Sequence, residues 1–243
     1  MRLYISTVLG SLALLFFVDC ANKSETAPVA QGESTEQVLP SWNEGKTKQS
    51  IIKYVESVTD ESSADFIPES DRIATFDNDG TLWSEQPAYF QLFFAMDRIK
   101  QMASDHPEWE NQEPFRSVLA NNLGGLSKQG LEGLLKVVMV SHSGMESKEF
   151  KTLVKEWSAS AMHPTKKKLY KDLVYQPMLE LLAYLNEKGF KVYIVSGGGT
   201  DFMRAFVTEI YGIPAEHIIG SRISTEYKLT DGNPGIIRLP GVG

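Results

Sequence analysis

Downstream of Pro177 the apolar positions switch between two periods. Met178, Leu181, Leu182 and Leu185 fall at i, i+3, i+4 and i+7, predicting a helix with Pro177 at its first position and a stop at Gly189. Phe190 to Val195 then reads as a buried strand. Phe202, Phe206, Val207 and Ile210 predict a further helix that stops at Gly212. Upstream, Ile51, Val55 and Val58 mark a short amphipathic helix over 47–58, and Ile73 to Phe76 opens a buried strand over roughly 72–77. Residues 84–175 carry only helical patterns. Pro87 suits a first turn, and Phe90, Phe93 and Phe94 line one side of the segment after it. Leu131, Leu134, Leu135 and Val138 share one spacing with Phe150, Leu153, Val154 and Trp157. Strand–helix alternation interrupted by a helical insertion predicts an α/β class with a parallel, Rossmann-like sheet and crossover helices.

The N-terminal end has a different character. Arg2 precedes an apolar run from Leu3 to Val18. The run is short against the ~20 apolar residues of a transmembrane helix and fits a secretory signal peptide. It ends at Val18-Asp19-Cys20, similar to a bacterial lipoprotein cleavage site with Cys20 as the lipidated residue, although Asp19 stands where a small residue is usual. Ordinary export and an uncleaved anchor are the alternatives. Residues 21–45, rich in Ser, Thr, Glu, Gln, Asn, Gly and Pro, are expected to form a disordered tether.

Composition removes several function classes. The formal net charge is −7 with no long basic stripe, which argues against nucleic acid as a partner. One cysteine permits no intrachain disulfide and no cysteine-based zinc site. His106, His142, His163 and His217 have no ligand spacing and read as surface or satisfied core residues. The run Lys166-Lys167-Lys168 reads as solvated surface.

Chemistry gathers at the two predicted strand ends. The first ends in Asp77-Asn78-Asp79-Gly80-Thr81, the second in Ser196-Gly197-Gly198-Gly199-Thr200-Asp201. Ligands in open α/β sheets collect past the carboxyl ends of strands. Two acids at i, i+2 can divide the work, one attacking and one moving protons. A carboxylate repels a phosphate dianion, and a hard cation such as Mg²⁺ relieves that repulsion. Ser196 and the following backbone N–H groups, expected at a helix N-terminus, suit phosphate oxygens. Glu85 could face the same site or serve as a helix-start charge.

These motifs resemble the haloacid dehalogenase superfamily in its phosphoserine-phosphatase-like branch. Asp77-Asn78-Asp79-Gly80-Thr81 is similar to that family's first motif, and Val192-Tyr193-Ile194-Val195-Ser196-Gly197-Gly198 to its second. The resemblance covers roughly 46–243 and implies a core over 46–83 and 176–243 with a helical cap over 84–175. It implies Asp77 as a nucleophile that becomes an aspartyl-phosphate and Asp79 as general acid and base. Mg²⁺ would be held by Asp77 and by the backbone carbonyl of Asp79. Asn78, Gly80, Thr81, Ser196 and Gly197 are the implied substrate-binding positions. The expected activity is hydrolysis of a small phosphomonoester, in a protein exported to the periplasm or held at a bacterial membrane by a lipid on Cys20.

The family's third motif, a lysine, and its fourth, an acidic pair after a later strand, find no match. After Ser196 the chain holds Lys228 as its single lysine, in Glu226-Tyr227-Lys228-Leu229-Thr230. The one later acid is Asp231, in a turn-like Asp231-Gly232-Asn233-Pro234. The C-terminal strands of the core are therefore expected to be missing. A phospho-ligand-binding protein without turnover, or an inactive truncated fragment, are the rival readings.

Overall fold

A computed structural model describes residues 37–230 and 232–243. The predicted signal segment, Cys20, the first part of the tether and Asp231 lie outside the described residues. Helix α1 (Lys46–Thr59) leads to strand β1 (Ile73–Phe76). Five helices follow with no named strand among them: α2 (Phe90–Met102), α3 (Phe115–Leu119), α4 (Leu123–Ser127), α5 (Gly130–His142) and α6 (Ser147–Ser160). The alternation then resumes with α7 (Gln176–Glu187), β2 (Lys191–Gly199), α8 (Thr200–Arg204), α9 (Val207–Tyr211) and β3 (Ile218–Ser221). A hairpin of β4 (Ile223–Thr230) and β5 (Asn233–Val242) completes the order.

Strands β1, β2 and β3 form a parallel sheet with β2 in the middle. Phe76 lies beside Ile194, and Ile194 beside Ile218. This register brings the carboxyl ends of all three strands to one edge. The mixed α/β class and the parallel, Rossmann-type core are those the periodicity predicts.

The strands are not buried on both sides. Val192, Ile194 and Ile218 are buried, whereas Ile73, Val195 and Ile219 are 58%, 48% and 50% exposed. Only one face of the sheet is covered among the described residues, so burial follows the period of two of a half-exposed sheet. Strand β2 also runs past Val195 through the glycines to Gly199, where it meets Ser221 of β3 after an irregularity in register. The glycines thus end a strand instead of forming a loop. Gly220 explains the close pairing: a Cβ there would lie 2.4 Å from the Gly198 carbonyl oxygen. The helix expected over 202–210 is broken into α8 and α9, and Pro87 stands ahead of α2 rather than in its first turn.

Two further boundaries differ from expectation. Residues 37–45, predicted as tether, pack down onto α7. Leu39 is buried, the Trp42 indole N–H donates to the Pro177 carbonyl at 2.7 Å, and the Ser41 N–H donates to Glu180 at 2.8 Å. Two apolar anchors in a polar stretch suffice to hold it. The β4–β5 hairpin, predicted as part of the core, leans on the helical segment instead. The Gly144 N–H donates to the Arg238 carbonyl at 2.8 Å, and the Arg238 N–H to that of Met145 at 3.0 Å.

The helical segment is tied at its neck. The Ser84 N–H donates to the Leu173 carbonyl at 3.0 Å, and the Tyr175 N–H to that of Leu82 at 2.9 Å. An aromatic cluster lies beneath. Trp83 contacts Phe90 at 4.7 Å and stacks on Phe206 at 5.2 Å. Phe94 meets Phe150, Trp157 and Phe202 at 5.6, 5.5 and 5.7 Å. The cluster joins the loop after β1 to α2, α6 and α8. No helix of the described residues is long and apolar enough to cross a membrane.

Phe94 sits where these elements meet and is 1% exposed. Phe94→Ala is expected to cost about 3–5 kcal/mol, measured by urea unfolding. A loss below about 1 kcal/mol would show that the cluster is not a principal support.

Candidate active site

Parallel strands ending at one edge put the polar ends of β1 and β2 side by side. A cavity of about 520 Å³ opens there, and Asp77, Asp79, Glu85, Ser196 and Gly197 all line it. Asn78, Gly80 and Thr81 do not. Asn78 is fully buried, and its side-chain oxygen accepts from the Tyr211 hydroxyl at 3.4 Å. Gly80 and Thr81 shape the turn: the Gly80 N–H donates to the Trp83 carbonyl at 3.0 Å, and the Thr81 N–H to that of Asn78 at 3.2 Å. Gly80 has φ +72°, and a Cβ on it would lie 2.8 Å from the Glu85 carboxyl carbon. Glycine therefore gives the turn its left-handed residue and leaves room for Glu85. Glu85 precedes α2 by several residues, so it faces the cavity rather than a first helical turn.

The two aspartates differ in setting. Asp77 is exposed. Asp79 is half-buried, and its Oδ1 accepts the Trp83 indole N–H at 2.7 Å. Burial raises the proton affinity of Asp79 above the usual carboxylate range. The Trp83 hydrogen bond opposes that shift, and the charges of Asp77 and Glu85 add to it. A Cβ placed on Gly198 would lie 3.6 Å from Asp79 Oδ2, so the free oxygen of Asp79 faces the end of β2. Ser196 Oγ accepts the Gly198 N–H at 3.1 Å. A Cβ on Gly197 would meet nothing within 4 Å, so open space lies there.

Sequence reasoning missed Gln91; His142, read as a surface or satisfied core histidine, is buried with both ring nitrogens bonded. Gln91 Oε1 accepts the Gly199 N–H at 2.7 Å, and its Nε2 lies 3.1 Å from His142 Nε2. Since that amide nitrogen donates, His142 Nε2 accepts and the ring proton sits on Nδ1. Nδ1 is 2.8 Å from Ser141 Oγ, which donates to the Val137 carbonyl at 2.8 Å. A chain of hydrogen bonds thus runs from α5 through α2 to the end of β2. The available signal was weak, because a lone histidine in a helical stretch has no spacing that marks it. Arg238 was missed for a similar reason. It is buried, pairs with Asp201, donates from Nε to the His142 carbonyl at 2.7 Å and covers the Phe150 ring at 3.9 Å. Lys166, Lys167 and Lys168 are exposed and outside the cavity.

The family model of the haloacid dehalogenase-like hydrolases matches residues 74–243, from β1 to the end of the hairpin. The chain belongs to this family. No curated protein sequence matches it. Among solved structures, a phosphoserine phosphohydrolase-like protein from Francisella tularensis is 20% identical with a TM-score of 0.36, over 67% of this chain and 62% of that one. A protein of unknown function from Bordetella pertussis is 14% identical with a TM-score of 0.46, over 71% and 66%. A probable phosphoserine phosphatase from Vibrio cholerae is 16% identical with a TM-score of 0.33, over 65% and 38%. The chain thus spans 62% of the length of the Francisella protein.

The His142 imidazole is pushed down to about 3, first by burial and then by the charges of Arg238 and Arg98, against a backbone hydrogen bond that favours the cation. Above the unfolded value of about 6.5 the ring is neutral in both states. As pH falls from there toward 3, the unfolded chain takes up a proton that the folded chain refuses, so stability is lost across that window. His142→Gln is expected to flatten the acid slope by up to about one proton, read from urea unfolding free energies between pH 7 and 4. An unchanged slope would place the imidazole in a more solvated setting.

Proposed function

We propose that this hydrolase is a phosphatase that cleaves a small phosphomonoester through an aspartyl-phosphate on Asp77. The observation that carries the reading is the meeting of Asp77, Asp79 and Ser196 in one cavity at the carboxyl edge of a parallel sheet. Asp77 is the exposed carboxylate, suited to attack phosphorus while the bond to the leaving oxygen breaks. Asp79, whose burial favours the protonated form, gives its proton to that oxygen. The resulting Asp79 carboxylate then takes a proton from the water that attacks the phosphoryl group on Asp77. The products are inorganic phosphate and the free alcohol, and both acids return to their starting forms. Ser196 and Gly197 are the proposed grip on the phosphoryl oxygens, with Gln91 and His142 positioning that end of β2 through Gly199.

Asp77 and Asp79 are a partial donor set for Mg²⁺, short of a three-side-chain cluster among the described residues. Asp77 and Asp79 offer hard oxygen ligands beside a third carboxylate, Glu85, and their mutual repulsion is the kind a cation relieves. Asp77 and the Asp79 carbonyl are the proposed ligands, with water and substrate oxygens as the rest. Bound Mg²⁺ supplies the positive charge that lets a carboxylate approach a phosphate dianion. The proposed setting is a bacterial envelope, with residues 1–20 as export signal and Cys20 as the lipid-bearing residue. That setting rests on the sequence alone.

One observation favours a second reading, phosphate binding without turnover. Among the described residues no group of three or more His, Cys, Asp or Glu side chains is placed to hold a metal ion. Hydrolysis of p-nitrophenyl phosphate with Mg²⁺ separates the two. The phosphatase reading expects turnover that falls by roughly 10³-fold or more in Asp77→Asn. Turnover that survives Asp77→Asn would remove the nucleophile assignment. Phosphate binding by calorimetry with no turnover in the wild type would establish the second reading.

A further inference from the structure

The cavity has two chemically distinct parts. At the strand ends stand Asp77, Asp79, Glu85, Ser196 and the glycines, with Ser221 and Arg222 from the end of β3 beside them. The opposite wall comes from α5, where Leu131, Leu134, Leu135 and Val138 line the same space. Periodicity reads these four as the core face of a helix, yet Leu131 is 73% exposed and Leu135 40%. The face of α5 that packs inward carries Val137, Ser141 and His142 instead. Leu92 and Ile223 extend the apolar wall. Charge on that side is already spent, since Arg238 is paired with Asp201 and the buried His142 ring is neutral.

A binding cavity of this size, with polar groups at one end and leucines at the other, fits an amphiphilic ligand. We infer that the substrate is a phosphate monoester of an apolar alcohol, alkyl or aryl, whose leaving group lies along Leu131, Leu134, Leu135 and Val138. This rests on the phosphatase reading for the reacting end alone; the apolar wall is an observation independent of it. A polyhydroxylated leaving group would gain no hydrogen bonds from the four side chains of this wall, whereas a charged one would have to turn toward Glu85 or Arg222 at the other end of the cavity. Each methylene of an apolar group moved from water onto the wall instead favours binding, by about three- to fourfold.

The test uses n-alkylphosphonates from ethyl to octyl, bound with Mg²⁺ to the full chain and followed by calorimetry, beside hydrolysis of the matching alkyl phosphates, phenyl phosphate and phosphoserine. Affinity is expected to climb about three- to fourfold per methylene until the wall is covered, and to climb less in Leu131→Gln and Leu135→Gln. Both substitutions are at exposed positions, and unchanged melting temperatures would confirm that the fold is kept. A flat chain-length series, no phosphonate binding, or a preference for phosphoserine would overturn the inference. A flat series together with self-association that Leu131→Gln abolishes would also overturn it, and would assign the leucine face to a second copy of the chain. A rising series without hydrolysis would support the apolar subsite and remove only the phosphatase reading. Hydrolysis of polar esters with a flat series would do the reverse.

Discussion

Trp83 joins the interior of this protein to its chemistry. Its ring is buried against Phe90 and stacked on Phe206, while its indole N–H is turned onto Asp79 Oδ1 at 2.7 Å. A buried N–H without an acceptor costs about 1–3 kcal/mol, so the packing of the ring and the placement of the carboxylate are one constraint. The same packing removes water from Asp79 and raises its affinity for a proton. Asp77, two residues earlier at the strand end, stays exposed. One aromatic residue thus helps to give two neighbouring aspartates different environments, which is what a division between nucleophile and proton carrier requires.

A second set of contacts reaches the site from the helical segment. Gln91 on α2 accepts from Gly199 and donates to His142 on α5. Arg238, from the hairpin, closes the group by binding the His142 carbonyl and Asp201. Each partner is buried or partly buried, so each lost bond leaves a polar group without water. The end of β2 is therefore held from two sides, by β3 and by the helices. The helical segment shapes the site as well as covering it, and its α5 leucines give the cavity its apolar wall.

Much of the element order was legible. The period of four apolar positions in α7, the apolar run of β2 and the Asp77–Thr81 turn each stand out locally, because they arise from interactions within a few residues of chain. What was misjudged depended on contacts between distant segments. Residues 37–45 have the composition of a tether, but Leu39 is buried and Ser41 and Trp42 find partners on α7. Ile73 and Val195 look like buried strand residues, but burial depends on what packs against each face of a sheet. The leucines of α5 show a core spacing, and periodicity reports a face without saying whether protein or an open cavity meets it.

The sequence by itself determined the α/β class, the two strand-end motifs and the family to which they point, since each is carried by a contiguous run of residues. Only the tertiary structure decided which motif residues face the cavity. Asp77, Asp79, Ser196 and Gly197 line it, while Asn78 is turned inward toward Tyr211. It alone brought in Gln91, His142 and Arg238, three residues spread over the chain. The physical reason is the same in each case. A side chain's chemistry depends on its neighbours, its exposure to water and the charges around it, and these are set by packing between segments that the order of residues leaves far apart.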